Sequence, residues 1–240
     1  MSLPPEILDL IVDHLHNELA ALKACCVVSK SWVPRARKHL FARVKFDDSE
    51  SHTETWKKVF PDPFNSPAHH TRSLSVQGIP VRIAAADADV DGWTRAFRNV
   101  VDLRLSYMDQ TSFLPFYGLS PVVRSLHLTY APLEAFDIIC SFPLLEDLTL
   151  VGLFPTNYAD SGWDTPLTSP KLTGSLDLRT FGRARYVIPR LLDLPGGLHF
   201  SQINAAFFFE DVELVTDLVT RCSNTLESLS LFPSLLSAFH

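Results

Sequence analysis

From residue 74 onward the chain returns to one short pattern, an apolar–polar–apolar triplet built on leucine. It stands at Leu74-Ser75-Val76, Leu103-Arg104-Leu105, Leu126-His127-Leu128, Leu148-Thr149-Leu150, Leu176-Asp177-Leu178 and Leu229-Ser230-Leu231, with a weaker copy at Leu198-His199-Phe200. Such alternation sends apolar side chains to one face of a short strand and polar ones to the other. Three residues upstream another apolar group recurs, at Val100, Val123, Leu145 and Leu226. Between the triplets, Leu133 to Phe142 and Asp211 to Cys222 have helical character, the latter with Val212, Val215 and Val219 on one face. Strand and helix repeated with a right-handed connection stack side by side, each unit covering its neighbour's apolar edge. An irregular α/β sheet with leucine-rich strand cores is the competing reading.

The first 45 residues follow a different period. Residues 3–15 predict a helix: Ser2 can cap it, Pro4 and Pro5 suit the first turn, and Glu6 and Asp9 favour the positive end of its dipole. Ile7, Leu8, Ile11 and Leu15 form a stripe, with Leu10 and Val12 off it. A second helix spans Glu18 to Val28, with Leu19, Leu22, Cys25, Cys26 and Val28 as its apolar positions. Ser29 or Ser31 caps a third, which runs through Trp32, Arg35, Lys38 and Leu40 and carries Pro34 in its first turn. A unit of this size lies near the lower limit for folding alone. Its apolar residues either dock on the rest of the chain or face another protein. Residues 46–72 are a connector broken by Pro61, Pro63 and Pro67, with a short helix from Ser49 to Phe60 that packs Trp56 and Phe60 onto its neighbours.

Composition narrows the function classes. The 240 residues are 46% hydrophobic and 20% charged, an ordinary globular balance. A formal charge of −6 argues against general nucleic-acid binding. The charge is uneven, with seven basic and four acidic residues in 1–45 and an acidic excess beyond. No run approaches the ~20 apolar residues of a membrane span, and the start lacks a secretory pattern. Cys25 and Cys26 are adjacent, and Cys140 and Cys222 lie in helix-like runs, which suits reduced thiols. The expectation is an intracellular protein, cytoplasmic or nuclear, with neither membrane nor nucleic acid as partner. No phosphate loop, dinucleotide fingerprint, zincin helix or nucleophile elbow occurs. His69-His70 lacks further ligands nearby and reads as a turn. No catalytic residue, metal or cofactor is expected.

The run Leu3-Pro4-Pro5-Glu6-Ile7-Leu8, then Ile11 and Leu15, Leu22-Lys23-Ala24-Cys25, Val27-Val28-Ser29-Lys30-Ser31-Trp32, Ala36-Arg37 and Leu40-Phe41, resembles the F-box motif in order and spacing. The resemblance implies that residues 1–45 dock on the Skp-type adaptor of an SCF ubiquitin ligase and, through it, on a cullin. It implies adaptor contacts at Leu3, Pro4, Ile7, Leu8 and Ile11, with Leu22, Val27, Val28 and Trp32 packing within the three-helix unit or across its interface. Pro34 is a less usual element of the pattern.

The L/V-x-x-L-x-L pattern resembles the leucine-rich repeat, although the Asn that often follows is missing after Leu105, Leu128 and Leu150. The implied fold is α/β: a three-helix F-box at 1–45, a linker at 46–72, and a degenerate leucine-rich-repeat-like curved solenoid at 73–240 with short parallel strands and helices. Its open face would carry Asp102, Arg104, Ser106, Ser125, His127, Thr129, Asp147, Thr149, Ser175, Asp177, Arg179, Ser228 and Ser230. Asp102, Arg104, His127, Thr129, Asp147, Thr149, Asp177 and Arg179 are the candidate contacts to a protein target. The implied function is a non-catalytic substrate receptor. Two other readings stay open: a repeat scaffold whose F-box-like helices only cap the solenoid, and an enzyme whose site no motif reveals. At the C-terminal end, Leu235, Leu236 and Phe239 fold back as a cap, the array stops short, or a partner covers the edge.

Overall fold

The computed structural model describes residues 4–47, 50–78, 94–108, 113–117, 119, 121–155, 170–180 and 183–234. Within them eight strands form one sheet: β1 (Arg43–Phe46), β2 (Ser73–Gln77), β3 (Asp102–Ser106), β4 (Ser125–Thr129), β5 (Asp147–Val151), β6 (Ser175–Arg179), β7 (Gln202–Phe208) and β8 (Ser228–Ser234). Every pairing is parallel, and strand order follows chain order. The expected α/β class with short parallel strands is present.

Register is unbroken. Val44, Leu74, Leu103, Leu126, Leu148, Leu176, Ile203 and Leu229 stand opposite one another in turn, and Phe46, Val76, Leu105, Leu128, Leu150, Leu178, Ala205 and Leu231 form a second row. From β1 to β7 no residue of these rows is more than 9% exposed. Full burial of such a side chain stabilises by roughly 1.5–3 kcal/mol, so a register slip would forfeit every rung together. In β8 the same rows open to solvent, Leu229 to 43% and Leu231 to 41%, because no further strand follows among the described residues.

The strand starts are tied by backbone. The Arg72 carbonyl accepts from the N–H groups of Val101 and Asp102, that of Val101 from Arg124 and Ser125, and that of Arg124 from Glu146 and Asp147. At β6 a side chain takes over: Gly174 donates to Glu146 O, while the Ser175 N–H donates to Asp147 Oδ1 at 2.7 Å.

Two strands differ from the sequence reading. The weak copy at Leu198-His199-Phe200 is not a strand; the rung is Ile203-Asn204-Ala205 in β7. Phe200, fully buried, takes the upstream position three residues before Ile203. Additionally, Val44 and Phe46 form a first rung that the leucine pattern does not include, so the sheet begins inside the segment divided between module and linker. Pro233 is tolerated in β8 because the Ser228 N–H points to β7, which turns the missing N–H of Pro233 to the open edge.

The N-terminal helices are α1 (Pro5–His14), α2 (Leu19–Val28) and α3 (Val33–Leu40). They enclose a small core of Val12, Leu22, Cys25 and Ala36, with Leu15, Cys26, Trp32 and Leu40 packed around it. The inward line of α1 therefore runs through Val12 and Leu15, and part of the predicted stripe, Ile7 and Ile11, faces out. Asp13 clasps α1 to α3: Arg35 donates to both carboxylate oxygens, through Nε at 2.6 Å and through Nη2, and His39 Nε2 lies 2.7 Å from Oδ1. The Arg35 and His39 hydrogen bonds hold that carboxyl well below the usual range. Ser29 and Ser31 bond to each other at 2.8 Å in the turn before α3, whose start has no side-chain cap.

Only Phe41 and Ala42 separate α3 from β1. Helix α4 (Glu50–Val59) carries Trp56, which meets Phe41, Phe46, Phe60 and Phe97 with ring centroids 4.9–5.9 Å apart. This box seals the β1 edge and joins the helical unit to the sheet, with Trp56 and Phe60 packed as the sequence suggests. Farther on, Leu133–Ser141 is a 3-10 helix, followed by α5 (Ala184–Leu192) and α6 (Val212–Cys222). The inward face of α6 is Val215, Leu218 and Cys222; Val212, expected inside, is exposed. Residues 235–240, with Leu235, Leu236 and Phe239, lie outside the described residues.

A Cβ placed on Gly174 would collide with Asp147 Oδ1 and stand 3.2 Å from Glu146 O. Gly174→Ala is expected to lower stability by about 1–3 kcal/mol in urea unfolding, because the tie between β5 and β6 must shift.

Candidate functional site

Two surfaces hold the residues singled out above. The first lies on α1 and α2. Helix α2, LAALKACCVV, is apolar on nearly every side, yet it has one inward face, occupied by Leu22 and Cys25. The rest of its apolar groups are left outside: Val27 is 88% exposed and Val28 69%, and Leu19 is exposed too. On α1, Ile7, Leu10 and Ile11 are exposed, and Leu8 is half-buried. Exposed Lys23 and Lys30 lie on the same segment. Large exposed apolar side chains in this number on two short helices mark an interaction site more often than scattered single ones do.

The predicted contact residues divide accordingly. Pro4, Ile7, Ile11, Val27 and Val28 are accessible. Leu22 is fully buried in the three-helix core, so it supports the surface from within and touches no partner. Trp32 is half-buried against that core. Leu3 lies outside the described residues. Leu10 and Leu19 belong to the surface and were absent from the candidate set; the signal for Leu10 was its position off the α1 stripe.

The second surface is the polar face of the sheet. Ser73, Asp102, Ser125, Asp147, Ser175, Gln202 and Ser228 follow one another across the strand starts. Ser73 Oγ donates to Asp102 Oδ2 at 2.8 Å, and Ser175 Oγ to Asp147 Oδ1 at 2.8 Å. Arg104 Nε reaches Asp102 at 3.1 Å, and His127 Nε2 lies 3.3 Å from its other oxygen. Asp102 and Asp147 thus spend their carboxylates on neighbouring strands, which leaves them little to offer a target. Asp177 is held in a two-point pair by Arg179, Nε at 3.1 Å and Nη2 at 2.9 Å. Arg104, His127, Thr149, Asp177 and Asn204 occupy the middle row, and Thr129 and Arg179 lie in the next row along.

The eight target-face candidates therefore share one face: Asp102 pairs with Arg104 and His127, Asp177 with Arg179, and Asp147 with Ser175, while Asp177 and Arg179 line a concavity together with Asn204, Ala206 and Phe232. Among the described residues no cluster of three or more His, Cys, Asp or Glu could hold a metal. Burial pushes the Cys140 and Cys222 thiols up, away from nucleophilic character. His69 and His70 lie with ring centroids 3.9 Å apart, tilted by 51°, in a 3-10 turn. Among the described residues no helix is long and apolar enough to cross a membrane. No protein-family model matches the chain, and no curated protein matches it in sequence.

Burial raises the Asp102 pKa, but the hydrogen bonds from His127 and Ser73 and the charge of Arg104 outweigh it and hold the carboxyl at about 2. With the folded value below the ordinary one, ionised Asp102 stabilises the fold above the ordinary carboxyl range, and that contribution is lost as pH falls toward about 2. Asp102→Asn is expected to flatten this acid limb of the melting-temperature profile, as thermal unfolding between neutral and acid pH will show.

Proposed function

We propose that the chain is a non-catalytic substrate receptor of an SCF-type ubiquitin ligase: an F-box at residues 1–45 docks on a Skp-type adaptor and, through it, on a cullin, while a leucine-rich-repeat-like solenoid holds a protein target. One observation carries the reading. The three-helix unit has a filled core of its own, and still leaves Ile7, Ile11, Val27 and Val28 in solvent. These coincide with the residues through which the resemblance implies adaptor contact.

The capping alternative requires that Ile7, Leu8 and Ile11 be sealed against the sheet. Ile7 and Ile11 are exposed, and the β1 edge is closed instead by Trp56 and its aromatic neighbours. The unbroken parallel register and the backbone ties at strand starts support the solenoid reading, and supply the link between turns that the missing Asn residues would otherwise make.

In this reading the protein makes and breaks no covalent bond. It raises the effective concentration of the target lysines beside an activated ubiquitin thioester. Geometry matters for such a tether, and the two-residue step from α3 to β1 together with the aromatic box fixes the docking helices relative to the sheet.

Ile11→Asp and Val27→Asp alter side chains outside the small core, so the circular-dichroism spectrum is expected to be retained. Co-purification of a co-expressed Skp-type adaptor should fall at least tenfold in the double variant. Retained adaptor binding would refute this docking surface.

A further inference from the structure

Near the C-terminal end of the sheet, one row of the polar face alternates sharply in size. Arg179 of β6 stands opposite Ala206 of β7, and Ala206 opposite Phe232 of β8. Neighbouring strands lie about 4.8 Å apart, so the backbones of Arg179 and Phe232 are roughly 9–10 Å from each other, with a single methyl group between them. A concavity of about 440 Å³ opens at this notch, lined by Arg179, Ala206 and Phe232 together with Asp177 and Asn204 of the middle row. That size lies in the range of ligand pockets.

Both walls of the notch are held in place. Arg179 turns back along β6 onto Asp177, through Nε at 3.1 Å and Nη2 at 2.9 Å. On the other side Pro233 follows Phe232 and confines it to extended backbone, as its place in β8 requires. The Phe232 ring is nevertheless 62% exposed. Asn204, opposite Asp177, is exposed too, and its amide makes no hydrogen bond among the described residues. Each Asp177 oxygen takes one Arg179 N–H, and a carboxylate oxygen has room for a second donor.

These groups select by chemistry. An aromatic side chain set over Ala206 meets the Phe232 ring on one side and the Arg179 cation on the other, and gains from both. An aliphatic side chain gains burial alone. A carboxylate meets Asp177, and an ammonium meets Arg179. A phenolic hydroxyl both donates and accepts, so it satisfies an Asp177 oxygen and the Asn204 amide together. Tyrosine is also among the residue types that anchor protein interfaces.

We propose that the notch between Arg179 and Phe232 is a binding site for a tyrosine side chain of the target protein, its ring over Ala206 and its hydroxyl between Asp177 and Asn204. The site rests on the receptor reading for its biological sense, but binding there requires no adaptor. It anchors target contact at β6–β8 and draws on Asn204, Ala206 and Phe232, which the sequence candidates Asp177 and Arg179 did not bring with them.

The test is an NMR titration of the full chain, read at the backbone amides of Asn204, Ala206 and Phe232, with the blocked pentapeptide Gly-Gly-Tyr-Gly-Gly and its phenylalanine and leucine counterparts. The tyrosine peptide should bind saturably, the phenylalanine peptide about fivefold more weakly and the leucine peptide about tenfold more weakly. Phe232→Ala, at an exposed position, should weaken tyrosine-peptide binding about tenfold with the melting temperature retained. Asn204→Ala should reduce the preference for tyrosine over phenylalanine, and Ala206→Leu should fill the notch and abolish binding. Absence of saturable binding, equal binding of the three peptides, or indifference to Phe232→Ala and Ala206→Leu would overturn the proposal. So would binding that appears only after removal of residues 235–240, which would make the chain's own end the occupant. Ile11→Asp with Val27→Asp should leave peptide binding unchanged, and Phe232→Ala should leave adaptor co-purification unchanged, so failure of the notch and failure of the docking reading are told apart.

Discussion

A parallel strand that buries one row of side chains needs a neighbour in register on each side, and most of this molecule follows from that requirement. Leu74 through Ile203 meet it and are sealed. The polar residues between them are thereby forced to the opposite face, where serine hydroxyls and the carboxylates of Asp102 and Asp147 bridge adjacent strands. The requirement fails only at the ends of the stack, and the two ends are handled differently. At β1 an aromatic box closes the row; at β8 Leu229 and Leu231 stay open beside Phe207, Val212, Val215 and Val219. Pro233 on that edge removes one donor that another strand could use, a common guard against uncontrolled pairing.

The same logic separates supporting surfaces from surfaces that meet a partner. On the polar face most charges are already matched, within a strand at Asp102–Arg104 and Asp177–Arg179 and across strands at Asp102–His127, so the face stabilises the stack more than it advertises itself. The unmatched chemistry lies at the margins: aliphatic side chains on α1 and α2 at one end, the Asn204 amide and the Phe232 ring near the other. Because α3 runs into β1 almost directly, those margins belong to one connected framework. The proposed receptor role, in which a target is held at a set distance from a docking partner, requires a connection of that kind.

Leucine was the legible part of the fold. Wherever the rung is Leu-x-Leu, or Leu-x-Val at Leu74, the strand lies where alternation puts it. The two rungs that use other residues, Val44-Lys45-Phe46 and Ile203-Asn204-Ala205, escaped it; the upstream spacing from Phe200 to Ile203 was the available signal. Where a helix was predicted its extent was close, but α5 was not predicted, and the facing was off: apolar residues surround most of α1, and α6 buries Val215, Leu218 and Cys222, turned within its apolar arc from the Val212, Val215 and Val219 line. The concavity at β6–β8 was illegible for the same reason as β7. Nothing places Asn204, Ala206 and Phe232 beside Asp177 and Arg179 until the strand at Gln202–Phe208 is known.

The central claim is that β1 is the first rung of the sheet and welds the N-terminal helices to it. Site-resolved amide hydrogen exchange tests this directly, because the N–H groups of Val44 and Phe46 face β2 whereas those of Leu229 and Leu231 face the open edge. The account predicts that Val44 and Phe46 exchange as slowly as Leu103 and Leu105. Exchange as fast as that of Leu229 and Leu231 would contradict it, and would leave the helical unit loosely tethered to the sheet.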